Sequence, residues 1–260
     1  MKQFIVDAFT EKIFSGNPAA VCIAEKFPPA EIMLKIAQEN NLSETAFVVE
    51  DGKIFRLKWF TPAAEIDFCG HATLAAGFVV LTKCKPDLNS VEFETLSGKL
   101  TVTKTEKFFE MDFPAYEYKK IPVTDEMKEA TGAEILEAYL SRDLLLVLDS
   151  AEAVEKLKPN FEKLSALGGL TQAVTAAGEK FDCVSRIFAP KVGINEDPVT
   201  GSTHCLIAPY WSKILGKKKI IARQASARGG ILRCEVLGAR VKIAGSAVLF
   251  ATAELNEEEF

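Results

Sequence analysis

The chain has 260 residues, 48% hydrophobic and 26% charged, a globular profile with enough apolar material for one large domain or two ordinary ones. Its 36 acidic residues exceed its 31 Lys and Arg, for a formal net charge of −5. That balance, with no basic stripe interleaved with aromatics, excludes nucleic acid and anionic membrane as expected partners.

Residues 1–9 alternate and meet a charge at Asp7, so they read as a strand and not as a signal peptide. No apolar run approaches the ~20 residues that span a bilayer, so cytoplasm is the expected compartment. Further strands are predicted over 19–24, 45–50 and 54–60 from β-branched and aromatic residues bounded by turns. Between them 29–40 reads as a helix with Ile32, Met33, Ile36 and Ala37 on one face, closed by Asn40-Asn41. A thoroughly apolar helix is predicted over 72–81, and a meander over 91–95, 99–104 and 108–113. Thr124 is a predicted N-cap for 125–130. Then follow a buried strand at 144–148, short helices at 151–157 and 161–167, and a strand at 181–188. A helix over 203–215 contains Pro209, which implies a kink or a late start. Strands close the chain at 220–224, 231–236 and 241–250, and the acidic tail from Glu254 is expected to fray.

The six cysteines, Cys22, Cys69, Cys84, Cys183, Cys205 and Cys234, show no C-x-x-C spacing and fall mostly in apolar runs. Reduced, buried thiols are expected. Only His71 and His204 are available to join them, so neither a metal nor a cofactor is expected.

The chain repeats itself. Lys58-Trp59-Phe60-Thr61-Pro62 resembles Arg186-Ile187-Phe188-Ala189-Pro190 at an offset of 128 residues, and EIDFCGHAT from Glu65 parallels EDPVTGSTH from Glu196 at 131. Both segments run strand, loop, Gly, apolar helix, which points to duplicated halves. Gly70-His71-Ala72 and Gly201-Ser202-Thr203 then open two helices, whose free N–H groups form ready anion sites. Taken singly, each could be an ordinary cap; as a matched pair they point to a site for a carboxylate or a developing enolate. His71 titrates in the range that suits proton transfer. Glu44, at the entry to an apolar strand, is either a solvated loop residue or a half-buried base with a raised pKa. Asp197 either forms an Asx turn, orients His71 or holds substrate. Cys69 precedes Gly70 and raises a two-thiol racemase as a rival, but the matching residue is Thr200.

Phe14-Ser15-Gly16-Asn17-Pro18-Ala19-Ala20-Val21, Asn41-Leu42-Ser43-Glu44-Thr45-Ala46-Phe47, Cys69-Gly70-His71-Ala72-Thr73, Glu196-Asp197-Pro198-Val199-Thr200-Gly201-Ser202 and Gln224-x-Ser226-x-Arg228-Gly229-Gly230 together resemble the PhzF family of phenazine biosynthesis. The resemblance implies an α+β, diaminopimelate-epimerase-like fold of two similar, pseudo-symmetric domains, each a mixed curved sheet wrapped around a central helix. The expected division is 1–116, with about 248–260 returning to it, and 117–247. The resemblance further implies a cofactor-independent isomerase acting by acid–base catalysis in an interdomain cleft on a small, anionic, carboxylate-bearing metabolite. The family's catalytic glutamate falls on Glu44, and its pocket histidine, aspartate and serine on His71, Asp197 and Ser202. Asn17 matches a substrate-contacting asparagine of the wider superfamily, and Gly70, Ala72, Gly201 and Thr203 complete the expected binding set. A homodimer is also implied. The alternative is a non-catalytic member of the fold that binds a ligand or a protein.

Overall fold

The alternating N-terminal segment forms β1 (Lys2–Ala8), antiparallel to β2 (Asn17–Ala24), in a computed structural model that describes residues 1–257. Helix α1 (Ala30–Asn40) buries Met33, Ile36 and Ala37 against Cys22, Phe47 and Phe60. It stops where Asn41 adopts φ 48° and its N–H bonds Ala37 O, the left-handed closure that a short polar side chain tolerates. Next come β3 (Glu44–Asp51), β4 (Ile54–Phe60), the two-residue β5 (Glu65–Ile66) and α2 (Gly70–Val79). The meander β6 (Ser90–Thr95), β7 (Gly98–Lys104) and β8 (Phe109–Pro114) follows.

After β9 (Lys119–Ile121), Thr124 caps α3 (Asp125–Thr131) by accepting the Met127 N–H. Then come β10 (Glu137–Leu140), β11 (Leu144–Val147), α4 (Ala151–Lys156), α5 (Phe161–Ala166), β12 (Gln172–Ala177), β13 (Cys183–Ala189) and β14 (Ile194–Asp197). The chain continues through α6 (His204–Leu215), β15 (Lys219–Gln224), β16 (Gly230–Leu237), β17 (Arg240–Gly245) and β18 (Ala247–Glu254). Two units result: residues 1–112 with 244–260, and residues 113–243. No helix among the described residues is long and apolar enough to cross a membrane.

The two units repeat one pairing scheme. In the first, β1–β2 is antiparallel, β2–β3 parallel across α1, β3–β4 antiparallel with Thr45 opposite Phe60, and β4–β6 parallel. In the second, β10–β11, β11–β12, β12–β13 and β13–β15 follow the same order and senses, with Gln172 opposite Phe188. The short strands also match, pairing Phe60 with Glu65 and Phe188 with Glu196. The cation two residues before each Phe closes onto that Glu: Lys58 Nζ lies 3.0 Å from Glu65 Oε1, and Arg186 clasps Glu196 through two 2.8 Å bonds. This bears out the expected fold of two similar halves. The sequence repeat exists because each half needs the same clasp to turn the chain from strand into helix.

The helices after the two glycines differ in how the sequence makes them. Nine of the ten residues of α2 are buried, as its apolar composition requires, and it loosens into a wider π-type turn over Val80–Cys84 rather than continuing to Leu81 as α-helix. Helix α6 carries Pro209 in its interior, which removes the N–H that Cys205 O would have accepted. The Tyr116 N–H supplies the missing donor at 2.9 Å, so the helix absorbs the proline. The strand expected over 241–250 is two strands, broken at Ser246, whose carbonyl accepts the Thr10 N–H. The tail expected to fray from Glu254 begins as paired strand, Glu254 lying opposite Lys2; residues 258–260 lie outside the described residues.

Candidate active site

Three chain ends of the first unit bring the chemistry together. Asn17 and Glu44 are the first residues of the adjacent parallel strands β2 and β3, and His71 is the second residue of α2. Asn40 fixes the start of β3 by bonding the Thr45 hydroxyl and the Gln3 side chain. The loop before Asn17 is held by the Phe14 N–H, which donates to the buried Asp7 carboxylate at 2.9 Å. The Glu44 carboxylate, 16% exposed, then lies 3.0 Å from His71 Nε2, on a side chain 6% exposed. Asn17, fully buried, places its amide nitrogen 3.1 Å from His71 Nδ1, and Cys69 Sγ lies 3.5 Å from the same atom.

This geometry sets the proton positions. With the Asn17 amide donating, Nδ1 accepts and the proton of a neutral imidazole sits on Nε2, facing Glu44. A second proton, on Nδ1, requires the Asn17 amide to present its oxygen instead, with Cys69 Sγ 3.5 Å away as a further acceptor. Burial opposes the positive charge, but the Glu44 carboxylate and a hydrogen bond to the Cys69 sulfur outweigh it and hold His71 well above the usual histidine range. Burial, reinforced by the Glu44 charge, pushes the Cys69 thiol up, so Cys69 is a poor thiolate. His71 Nε2 and Glu44 Oε2 meet off the hydrogen-bonding line, and each lacks a well-aligned partner. Both atoms therefore keep capacity for a ligand.

The donor atoms of Glu44, Cys69 and His71 lie within 4.8 Å of one another, a set with the right elements for a soft divalent ion. The ring orientation opposes this use. The thiol faces Nδ1 and the carboxylate faces Nε2, so no single ion takes all three without turning the imidazole.

The other expected residues lie together in the second unit. Asp197 ends β14, and its carboxylate accepts the Thr200 hydroxyl. Gln224 braces this turn, accepting the Thr200 N–H at 2.8 Å and donating to Asp197 O at 2.6 Å. Ser226 donates to Pro198 O, which accounts for the Gln-x-Ser spacing. The Thr203 hydroxyl is committed to the buried carboxylate of Asp143 at 3.0 Å. His204 is fully buried, its Nδ1 2.7 Å from Thr200 O, and burial drops its pKa to about 4. It is a neutral brace. Strand register places Thr171 where Glu44 stands in the first unit, while the repeat places Thr200 and Ser202 at the positions of Cys69 and His71. The second unit thus offers hydroxyls where the first offers titratable groups.

Sequence reasoning passed over Arg142 and Asp143. Their signal was a charged pair immediately before a four-residue apolar strand, a place where a carboxylate becomes buried.

Residues 6–253 match the family model described as phenazine biosynthesis-like protein, PhzC-PhzF. An uncharacterized isomerase of Pseudomonas aeruginosa is 45% identical, over 97% of this chain and 98% of that protein. A crystal structure of a PhzF-family phenazine biosynthesis protein from Enterococcus faecalis has TM-score 0.96 and 49% identity, covering 98% of each chain. A probable proline racemase from Agrobacterium radiobacter shares the fold at TM-score 0.64 and 10% identity, covering 100% of this chain and 94% of that one.

Proposed function

We propose that this chain, which belongs to the phenazine biosynthesis-like (PhzF) family, is an isomerase that shifts a proton on a small carboxylate-bearing metabolite without a cofactor. The carrying observation is the Glu44–His71 contact at 3.0 Å, a carboxylate and an imidazole brought together from 27 residues apart and largely shielded from water. Two titratable groups in contact can pass a proton between them without solvent.

Glu44 takes a proton from a carbon acidified by a neighbouring carbonyl or carboxylate. The electron pair moves onto that oxygen, where the N–H groups of Gly70 and His71 at the head of α2 oppose its charge. The same carboxylate returns the proton to another carbon of the delocalised system, with no net change in atoms or electrons. His71 shares the proton with Glu44 through Nε2, and Asn17 fixes the ring through Nδ1. Two-thiol inversion is disfavoured because burial keeps Cys69 protonated and Thr200 stands at the matching position.

The test is to incubate the protein in deuterated water with a metabolite extract and find by mass spectrometry which compound gains deuterium. Catalysed exchange that Glu44→Gln abolishes supports the reading. Tight retention of a metabolite with no exchange would instead favour a ligand-binding role.

A further inference from the structure

A buried polar atom that finds no partner within a protein calls for an explanation, and a ligand that completes the bonding is one. Trp59 Nε1 is such an atom, together with Glu44 Oε2 and His71 Nε2 of the proton-transfer pair. Trp59 is 1% exposed, and its indole N–H meets no acceptor among the described residues. The second tryptophan of the chain shows the ordinary arrangement: Trp211 Nε1 donates to the Thr175 hydroxyl at 2.9 Å. An indole N–H taken out of water and left unbonded costs desolvation energy that no contact within the protein returns.

Strand register puts this indole on the face where His71 meets Glu44. Side chains alternate across a strand. Phe47 and Phe60 pack under α1, so Glu44, Ala46 and Trp59 take the opposite face. Trp59 stands directly opposite Ala46 of β3 on one side and Ile66 of β5 on the other. Glu44 lies two residues before Ala46 on that face, and such diagonal neighbours are roughly 7–8 Å apart, within the reach of an aromatic side chain.

The duplicated half supplies a control. At the place of Trp59 the second unit has Ile187, opposite Ala173 and Asp197. A fully buried isoleucine fills the position there, so the fold does not call for an indole. The polar group at this level of the second unit is the Asp197 carboxylate, whose counterpart in the first unit is the apolar Ile66. Each half thus sets one polar side chain on this pair of strands, an acceptor in the second unit and a donor in the first.

We infer that the Trp59 indole N–H binds the substrate, donating to an uncharged oxygen, a hydroxyl or a carbonyl, that the molecule carries in addition to its carboxylate. The inference rests on the proton-transfer reading for the place where the substrate lies, and it narrows the substrate class. Trp59 brings a donor without a charge, its neighbours Ala46 and Ile66 bring none, and the Glu44 carboxylate on the same face opposes a second anion. A substrate lacking that oxygen leaves the N–H unbonded and loses the contact that separates it from simpler acids.

NMR on the ¹⁵N-labelled full chain tests this, since its two tryptophans give two indole N–H signals, and Trp211→Phe identifies them by removing one. The probe is the protein-free metabolite extract of the exchange assay, then its chromatographic fractions. One fraction should move the Trp59 signal downfield and saturably, as an N–H gaining an acceptor does, and leave the Trp211 signal in place. Mass spectrometry of that fraction should find a carboxylic acid that also bears a hydroxyl or carbonyl. In the exchange assay Trp59→Phe, which keeps a ring and loses the N–H, should raise KM about tenfold with kcat within about threefold. A purely structural role would instead lower the yield of folded enzyme and leave KM unchanged, as Trp211→Phe should, within about twofold. An unmoved Trp59 signal, a bound acid without an uncharged oxygen, or an unchanged KM in Trp59→Phe overturns the inference. If Trp59→Phe does not fold, the wild-type titration decides. A moving Trp59 signal with no deuterium gained leaves the donor standing while the proton-transfer reading fails; deuterium gained with the signal unmoved does the reverse.

Discussion

Replacing Glu44 by Gln isolates the charge from the shape. The amide oxygen can still face His71 Nε2, so the contact now at 3.0 Å survives as a neutral one. Exchanging a charged contact for a neutral one costs about 1 kcal/mol, and relieving the burial of a carboxylate returns part of it, so the fold should change by no more than about 1 kcal/mol. Catalysis should respond very differently. An amide cannot take a proton from carbon, and losing a positioned base lowers turnover by roughly 10²–10⁴, equivalent to about 3–5 kcal/mol of barrier. Losing the carboxylate should also lower the His71 titration midpoint, since Glu44 is one of the two neighbours that raise it. The assay is solvent-deuterium incorporation into the responsive metabolite, with NMR titration of the histidines on the same samples. Exchange at the wild-type rate in Glu44→Gln would refute the assignment and make Cys69 or His71 the next base to test.

The two histidines should act oppositely on stability. His204 has a folded pKa of about 4 against about 6.5 unfolded, so its contribution, roughly 3 kcal/mol, is intact above pH 6.5 and lost as pH falls toward 4. His71, raised in the fold, contributes stability that is fully present below about pH 6.5 and lost as pH rises through its folded pKa. Denaturant melts across pH should lose the acid-side slope in His204→Asn and the alkaline-side slope in Glu44→Gln; unchanged slopes contradict these assignments. Gly77→Ala should destabilise the first unit by about 1–2 kcal/mol despite better helix propensity, because the new Cβ would lie 2.5 Å from a Val102 methyl of β7. Thermal melts check this, and a stabilised variant would mean that α2 and β7 are loosely packed. Exchange activity should survive dialysis against a chelator, with less than stoichiometric zinc or iron by elemental analysis; activity lost on chelation and restored by zinc would show that the imidazole does turn to meet an ion.

Much of this molecule was legible in order along the chain. The repeat between Glu65 and Glu196 was readable because the same clasp, a cation two residues before a Phe and a Glu across the turn, must be encoded locally in each half. The caps at Asn41 and Thr124 were readable for the same reason: each acts within four residues of itself. Strand β12 was missed because Gln172-Ala-Val-Thr-Ala-Ala carries small residues with no alternation, and only packing from neighbours buries it, including the Trp211 indole bonded to Thr175. The break at Ser246 was legible, since Ala244-Gly245-Ser246-Ala247 interrupts the β-branched pattern with small residues and a Gly-Ser turn signal, but the strand reading ran through it. At the site, the motifs themselves nominated Glu44 and His71 separately, and only the family resemblance brought them into one site. The contacts came from the parallel pairing of β2 with β3 and the placement of α2 beside them, which bring a carboxylate, an imidazole, an amide and a thiol within 3.5 Å of one another through His71. Proton transfer depends on distances of about 3 Å between residues far apart in the chain, and such distances are properties of packing that no local pattern carries.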